Sequence, residues 1–150
     1  LAKVKALAIM DKHEGEDVIV LGADTVVANG DEILGKPRDL AHAREMISSL
    51  QGKAHQVYTG VCLCWNKGKL NQHITFYEKT DVEVYPMSLE EIDTYVATKE
   101  CVDKAGSYAI QGLFSPYIKG ISGDYNNVVG LPVARIYQEI KKLGLEITND

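Results

Sequence analysis

The residues with most chemical potential sit where an apolar run stops. Val18 to Gly22 is continuous and apolar, and Ala23-Asp24-Thr25 follows directly. A carboxylate at the carboxyl end of a buried strand stands where α/β sheets place ligands. Asp24 there can hold a divalent cation or deprotonate a water, or it can simply cap a turn. Gly35-Lys36-Pro37 presents a lysine from a stiff, extended loop, suited to offsetting phosphate charge, although a loop lysine is also an ordinary solvated group. A third cluster runs from Asp103-Lys104-Ala105-Gly106 to Ile110-Gln111-Gly112. Its glycines permit close backbone approach, and the Gln111 amide carries both a donor and an acceptor, as reading the edge of a pyrimidine base requires. The same amide also serves as plain loop hydrogen bonding. Gly120 to Asp124, Asn126-Asn127 and Gly130-Leu131-Pro132 form a fourth cluster, equally suited to binding an anion or to starting a helix.

Other signals carry no chemistry. Gly30 to Lys36 satisfies G-x-x-x-x-G-K, yet Pro37 replaces the Ser or Thr that would meet magnesium. A lysine before proline is pushed to extended geometry, and Ile33-Leu34 reads as strand, so this is no phosphate-binding loop. Cys62 and Cys64 share one strand face as small buried residues. His13, His42, His55 and His73 lack metal-ligand spacing, and no G-x-S-x-G elbow is present.

These residues must be held by a domain of ordinary composition. The 150 residues are 45% hydrophobic and 25% charged, with a formal charge of −5. One domain of this size buries enough surface to need no disulfide or metal staple. The lack of basic excess argues against a polymeric nucleic-acid partner, while a single nucleotide needs only local cations. No apolar run reaches the length of a membrane span. Three unpaired-looking cysteines fit a reducing, cytoplasmic setting.

Leu1 to Met10 reads as a helix with Leu1, Val4, Leu7 and Ala8 on its apolar face. Val18 to Ala28 is extended, and Asn29-Gly30-Asp31 turns it into a short strand over 32–34. Asp39 caps a helix from Leu40 to Leu50, with Gly52 as its stop. His55 to Trp65 and Ile74 to Tyr85 form a hairpin across Lys67-Gly68-Lys69. Ser88 and Glu91 form a capping box that opens a helix to Thr98. An irregular stretch follows from Asp103 to Asp124, and Pro132 starts a last helix bearing Val133, Ile136, Tyr137, Ile140 and Leu143.

The order of the motifs is more specific than any one of them. Gly22-Ala-Asp-Thr-Val-Val, Gly35-Lys-Pro, Tyr58-Thr-Gly-Val, Asp103 to Gly112 and Asn127-Val-Val-Gly-Leu-Pro together resemble the Maf family of nucleoside-triphosphate pyrophosphatases, also called septum-formation inhibitors. The resemblance implies an α/β fold with an elongated mixed sheet flanked by helices in two lobes, shared with inosine-triphosphate pyrophosphatases. It implies hydrolysis between the α and β phosphates with a divalent cation, magnesium or manganese. Asp24 then looks like the proton acceptor for the attacking water and a metal ligand. Lys5 and Lys36, with Asp103 and Lys104, look like substrate-binding positions, and Thr25 and Gln111 look like the positions that set base preference. Asp24-Thr25 and Ile110-Gln111-Gly112 are similar to the dTTP/UTP branch rather than to the 7-methyl-GTP branch. A homodimer is the family expectation. The family's Ser-x-Ser-x-Arg-Arg motif precedes the segment matching Leu1, so residues 1–150 read as one Maf-like domain truncated at its N-terminus. A nucleotide-binding regulatory module in division control, without turnover, is the alternative.

Overall fold

Two long runs of valine, threonine and aromatic residues dominate the chain, and in the computed structural model they form its central hairpin. The structure describes residues 1–12, 18–67 and 70–145. β3 (Ala54–Lys67) pairs antiparallel with β4 (Leu70–Val84) along their whole length. β1 (Ile19–Asn29) lies on the other side of β3, with Gly22 opposite Cys62 and Thr25 opposite Thr59. β2 (Glu32–Leu34) folds back on β1 through the Gly30-Asp31 turn, and β5 (Ile118–Ser122) edges β4. The five-stranded order is β2-β1-β3-β4-β5. Every pairing among the described residues is antiparallel, where the resemblance implies a mixed sheet. Hairpins join β1 to β2 and β3 to β4, and such short connections permit only antiparallel neighbours.

The helices begin and end on the expected chemistry. α2 (Leu40–Leu50) starts where the Asp39 side chain accepts the His42 N–H at 2.7 Å. α3 (Leu89–Ala97) opens with a complete Ser88–Glu91 capping box. α5 (Val133–Lys142) follows Pro132. Strand alternation divides the packing between two faces. Ile47, Leu50, Ile92, Tyr95 and Phe114 pack on Val27, Val57 and Val82 from one face. On that face Ile136 and Ile140 of α5 also cover Val61 and Leu63.

α1 (Ala2–Lys12) covers the opposite face, over Val20, Cys62 and Cys64. Its buried stripe is Ala2, Ala6 and Met10, not the Leu1, Val4, Leu7 and Ala8 face read from periodicity. Leu1 and Val4 are 79% and 68% exposed. Gly22 explains the choice. A Cβ there would meet the Ala2 carbonyl oxygen and lie 3.0 Å from the Ala6 Cβ, so helix and strand touch backbone to backbone. Only alanine-sized side chains fit at such a crossing. Cys62 and Cys64 lie beneath with their Sγ atoms 3.6 Å apart, and burial, reinforced by Cys62, pushes the Cys64 thiol up to about 11.

The stretch read as irregular, Asp103 to Asp124, holds β5, and the short helix α4 (Tyr125–Val129) follows directly after it. Neither carries an apolar pattern long enough to register as periodicity. Of the segment from Asp11 to Asp17, whose charged residues read as a loop, Asp11 and Lys12 instead end α1; residues 13–17 and the hairpin residues Gly68 and Lys69 lie outside the described residues. Among the described residues no helix is long and apolar enough to cross a membrane.

Candidate active site

Asp24 and Thr25 are consecutive on β1, so their side chains leave opposite faces of the sheet. The Asp24 side emerges beside α1. Lys5 Nζ reaches Asp24 Oδ1 at 3.3 Å, an ion pair whose partners keep 57% and 28% of their side-chain exposure. Opposite Asp24 on β3 stands Gly60, and a Cβ there would meet nothing within 4 Å. The space it leaves belongs to an open groove floored by Tyr58 and Tyr77, whose ring centres are 6.2 Å apart.

The Thr25 side opens into a second, more enclosed cavity of about 180 Å³. Its apolar lining comes from Val27, Val57, Ala105 and Tyr108; its polar lining comes from Thr25, Asp103, Lys104, Gln111 and Gly130. A cavity of about 150 Å³ accepts one six-membered ring. Four of the residues singled out in the sequence, namely Thr25, Asp103, Lys104 and Gln111, therefore converge on one hollow of single-ring size. Asp24 and Lys5 are not among them and stand together across the sheet. Lys36 is exposed on the loop after β2, and that loop is tied to the cavity wall by the Gly106 N–H donating to the Gly35 oxygen at 3.1 Å. The strand at Glu32–Leu34, directly before Gly35, excludes the P-loop geometry.

Several buried contacts hold this cavity, and periodicity does not reveal them. Glu100 accepts the Leu113 N–H at 2.9 and 3.0 Å, and the Tyr95 hydroxyl at 3.3 Å, fixing the turn that carries Gln111. A Cβ on Gly112 would meet that carboxylate, so a larger residue there would have to displace Glu100. Gly106, at φ 72°, packs against Val27, and Ser107 is also left-handed at φ 69°. Ser107 is fully buried, and its hydroxyl reaches Met46 Sδ at 3.0 Å. His55 lies beneath Tyr108, with Nε2 2.6 Å from the phenol oxygen. Burial, with a smaller contribution from Lys53, pushes the His55 ring down to about 4. Burial likewise raises the Tyr108 phenol above its ordinary range.

The opposite wall hangs on Asn127. Its side-chain amide donates to Val57 O, Glu78 O and Thr80 Oγ1 at 3.0–3.2 Å, clamping α4 to β3 and β4. The fourth sequence cluster thus contributes a structural strut, and the short α4 starts on the Asp124 side chain. A spacing-based reading had no means of showing which asparagine is buried.

Among the described residues no group of three or more His, Cys, Asp or Glu side chains could hold a metal ion. Asp24 alone still fits magnesium-type binding, where one or two carboxylates act with phosphate oxygens and retained waters.

A family model described as Maf-like protein matches residues 1–143. A protein of Agathobacter rectalis is 57% identical over 134 residues, covering 88% of this chain and 65% of its own length. One from Bacillus cytotoxicus is 52% identical, covering 95% of this chain and 71% of its own length. One from Bacillus cereus is 48% identical, covering 99% and 75%. All three are named dTTP/UTP pyrophosphatase. The chain spans 65% to 75% of the length of these curated relatives. With a match over nearly all its residues, this chain belongs to the Maf-like protein family.

Proposed function

We infer that the chain is the catalytic body of a nucleoside-triphosphate pyrophosphatase acting on dTTP- and UTP-type nucleotides. One observation carries the reading: a single-ring cavity and a lysine–carboxylate pair open on the two faces of β1 at consecutive residues, Thr25 and Asp24. Among the described residues β1 pairs with β2 only at Val27–Asn29, so Asp24 and Thr25 stand beyond that pairing. A nucleotide can seat its base beside Thr25 and Gln111 and direct its phosphates toward Asp24. The names of the relatives supply the substrate class.

In this reading Asp24 accepts the proton of a water that adds across the α–β anhydride, releasing pyrophosphate and the nucleoside monophosphate. Lys5 leaves its 3.3 Å contact with Asp24 to offset phosphate charge, and Lys36 does the same from the loop tied to the cavity. Asp24 would also hold a divalent cation jointly with phosphate oxygens; such an ion neutralises charge on the leaving group. Lys104 and Asp103 border the base cavity and serve as substrate-binding positions in this reading. Their own side chains are 3.8 Å apart.

The test is pyrophosphate release from dTTP, UTP, CTP and GTP with magnesium or manganese, by a form as long as the relatives. Release from dTTP and UTP that disappears in Asp24→Asn supports the assignment. Tight nucleotide binding without release by that form would overturn it in favour of a regulatory module.

A further inference from the structure

Thr59 lies directly behind Thr25 and is fully buried, so it cannot touch a ligand. The two hydroxyl oxygens are 2.8 Å apart. Thr25 Oγ1 is also 3.3 Å from the Gly130 carbonyl oxygen, and Thr59 Oγ1 is 3.3 Å from the Asn127 carbonyl oxygen. Two hydroxyl protons therefore face four oxygens.

The 2.8 Å contact must contain a proton, since two oxygens that close without one repel. If Thr25 supplies it, Thr59 donates onward to the Asn127 carbonyl, and both protons are used. If Thr59 supplies it, Thr25 donates to Gly130 O. Only one remaining arrangement lets Thr25 donate into the cavity. It requires the Thr59 proton to fill the short contact, which withdraws it from the carbonyl of fully buried Asn127. Buried polar groups keep their partners, so this arrangement is disfavoured.

We propose that Thr59 is a positioning residue that fixes Thr25 as a hydrogen-bond acceptor toward the cavity, and thereby selects bases that present a ring N–H over bases that present a ring lone pair. Uracil and thymine carry N3–H; cytosine carries a lone pair at N3. The inference rests on the base cavity of the proposed function and adds the direction of its hydrogen bond. Gln111, with both donor and acceptor, cannot impose this choice alone.

The test is calorimetric titration of the chain with UMP and CMP, for wild type, Thr59→Val and Thr59→Ser. Wild type is expected to bind UMP at least tenfold more tightly than CMP. Thr59→Val removes the 2.8 Å partner and leaves the Thr25 hydroxyl only the longer 3.3 Å contact to Gly130 O, from which its proton can turn to a ring lone pair in the cavity, so the ratio should fall to about threefold or less, mainly through tighter CMP binding. Thr59→Ser restores the hydroxyl and should restore the ratio, which a purely structural role would not require. A folded Thr59→Val with the wild-type ratio overturns the positioning role while leaving the cavity assignment intact. If Thr59→Val does not fold, the Thr59→Ser and Thr25→Val proteins decide: the first must keep the preference and the second must lose it. A wild type that binds UMP and CMP equally overturns the base-cavity reading itself.

Discussion

Acidification should destabilise this protein through His55. The ring is fully buried beneath Tyr108, and its pKa falls from 6.5 in an unfolded chain to about 4. Between those values the unfolded chain binds the proton and the folded one does not, so stability drops as pH falls. The contribution is complete above about pH 6.5, is lost progressively toward about pH 4, and is constant below. A difference of about 2.5 pK units corresponds to about 3 kcal/mol at most, of which about 2.5 kcal/mol is lost by pH 4.5. The physical reason is the site: Nε2 is engaged by Tyr108, and Nδ1 is buried without a hydrogen-bond partner among the described residues, so a second N–H has nowhere to donate. Urea unfolding at pH 7.5 and 4.5 measures the effect, with His55→Gln as reference. Gln cannot titrate, so carboxylates common to both proteins cancel in the difference. Wild type should lose about 2.5 kcal/mol more than His55→Gln over this range. Parallel pH profiles for the two proteins would refute the assignment of a buried neutral histidine.

Four further outcomes follow from the same geometry. Gly22→Ala places a methyl against the Ala2 carbonyl and should cost about 1–3 kcal/mol in urea, whereas Gly60→Ala meets nothing and should stay within about 1 kcal/mol of wild type. Asn127→Ala strips a donor from Val57 O, Glu78 O and Thr80 Oγ1, and should cost about 3 kcal/mol in thermal or urea unfolding. In a form as long as the relatives, Asp24→Asn should lower pyrophosphate release at least ~100-fold while leaving the thermal midpoint unchanged. Asp93→Asn, which breaks the exposed ion pair with Arg44, should change stability by no more than about 0.5 kcal/mol.

How much of this was legible depends on the range of the interactions involved. Asp39 and Ser88 announce α2 and α3 because a cap is made with residues three positions away. The Asn29-Gly30-Asp31 turn and the alternation of β3 and β4 are equally local, and the family was readable because its motifs keep their order along the chain. The candidate residues were readable as types: a carboxylate after an apolar run, a lysine before a proline, a glutamine before a glycine. Their grouping was not. That Asp24 joins Lys5 on one face while Thr25 joins Gln111 on the other follows from strand alternation only once β1 is known to run unbroken from Ile19 to Asn29.

The α1 error has the same origin. Periodicity favours the large apolar side chains, but burial went to Ala2, Ala6 and Met10 because a glycine distant in sequence brings the helix against the sheet. Sequence by itself determined the longer helices and strands, the family and the chemical character of Asp24, Lys36 and Gln111, all of which rest on local spacing and residue type. Tertiary structure alone decided which hydroxyl stands behind Thr25, which asparagine clamps the cavity wall and which histidine is buried uncharged. Those facts arise between residues 34 to 70 positions apart, brought together only when the strands pair and the helices close over them.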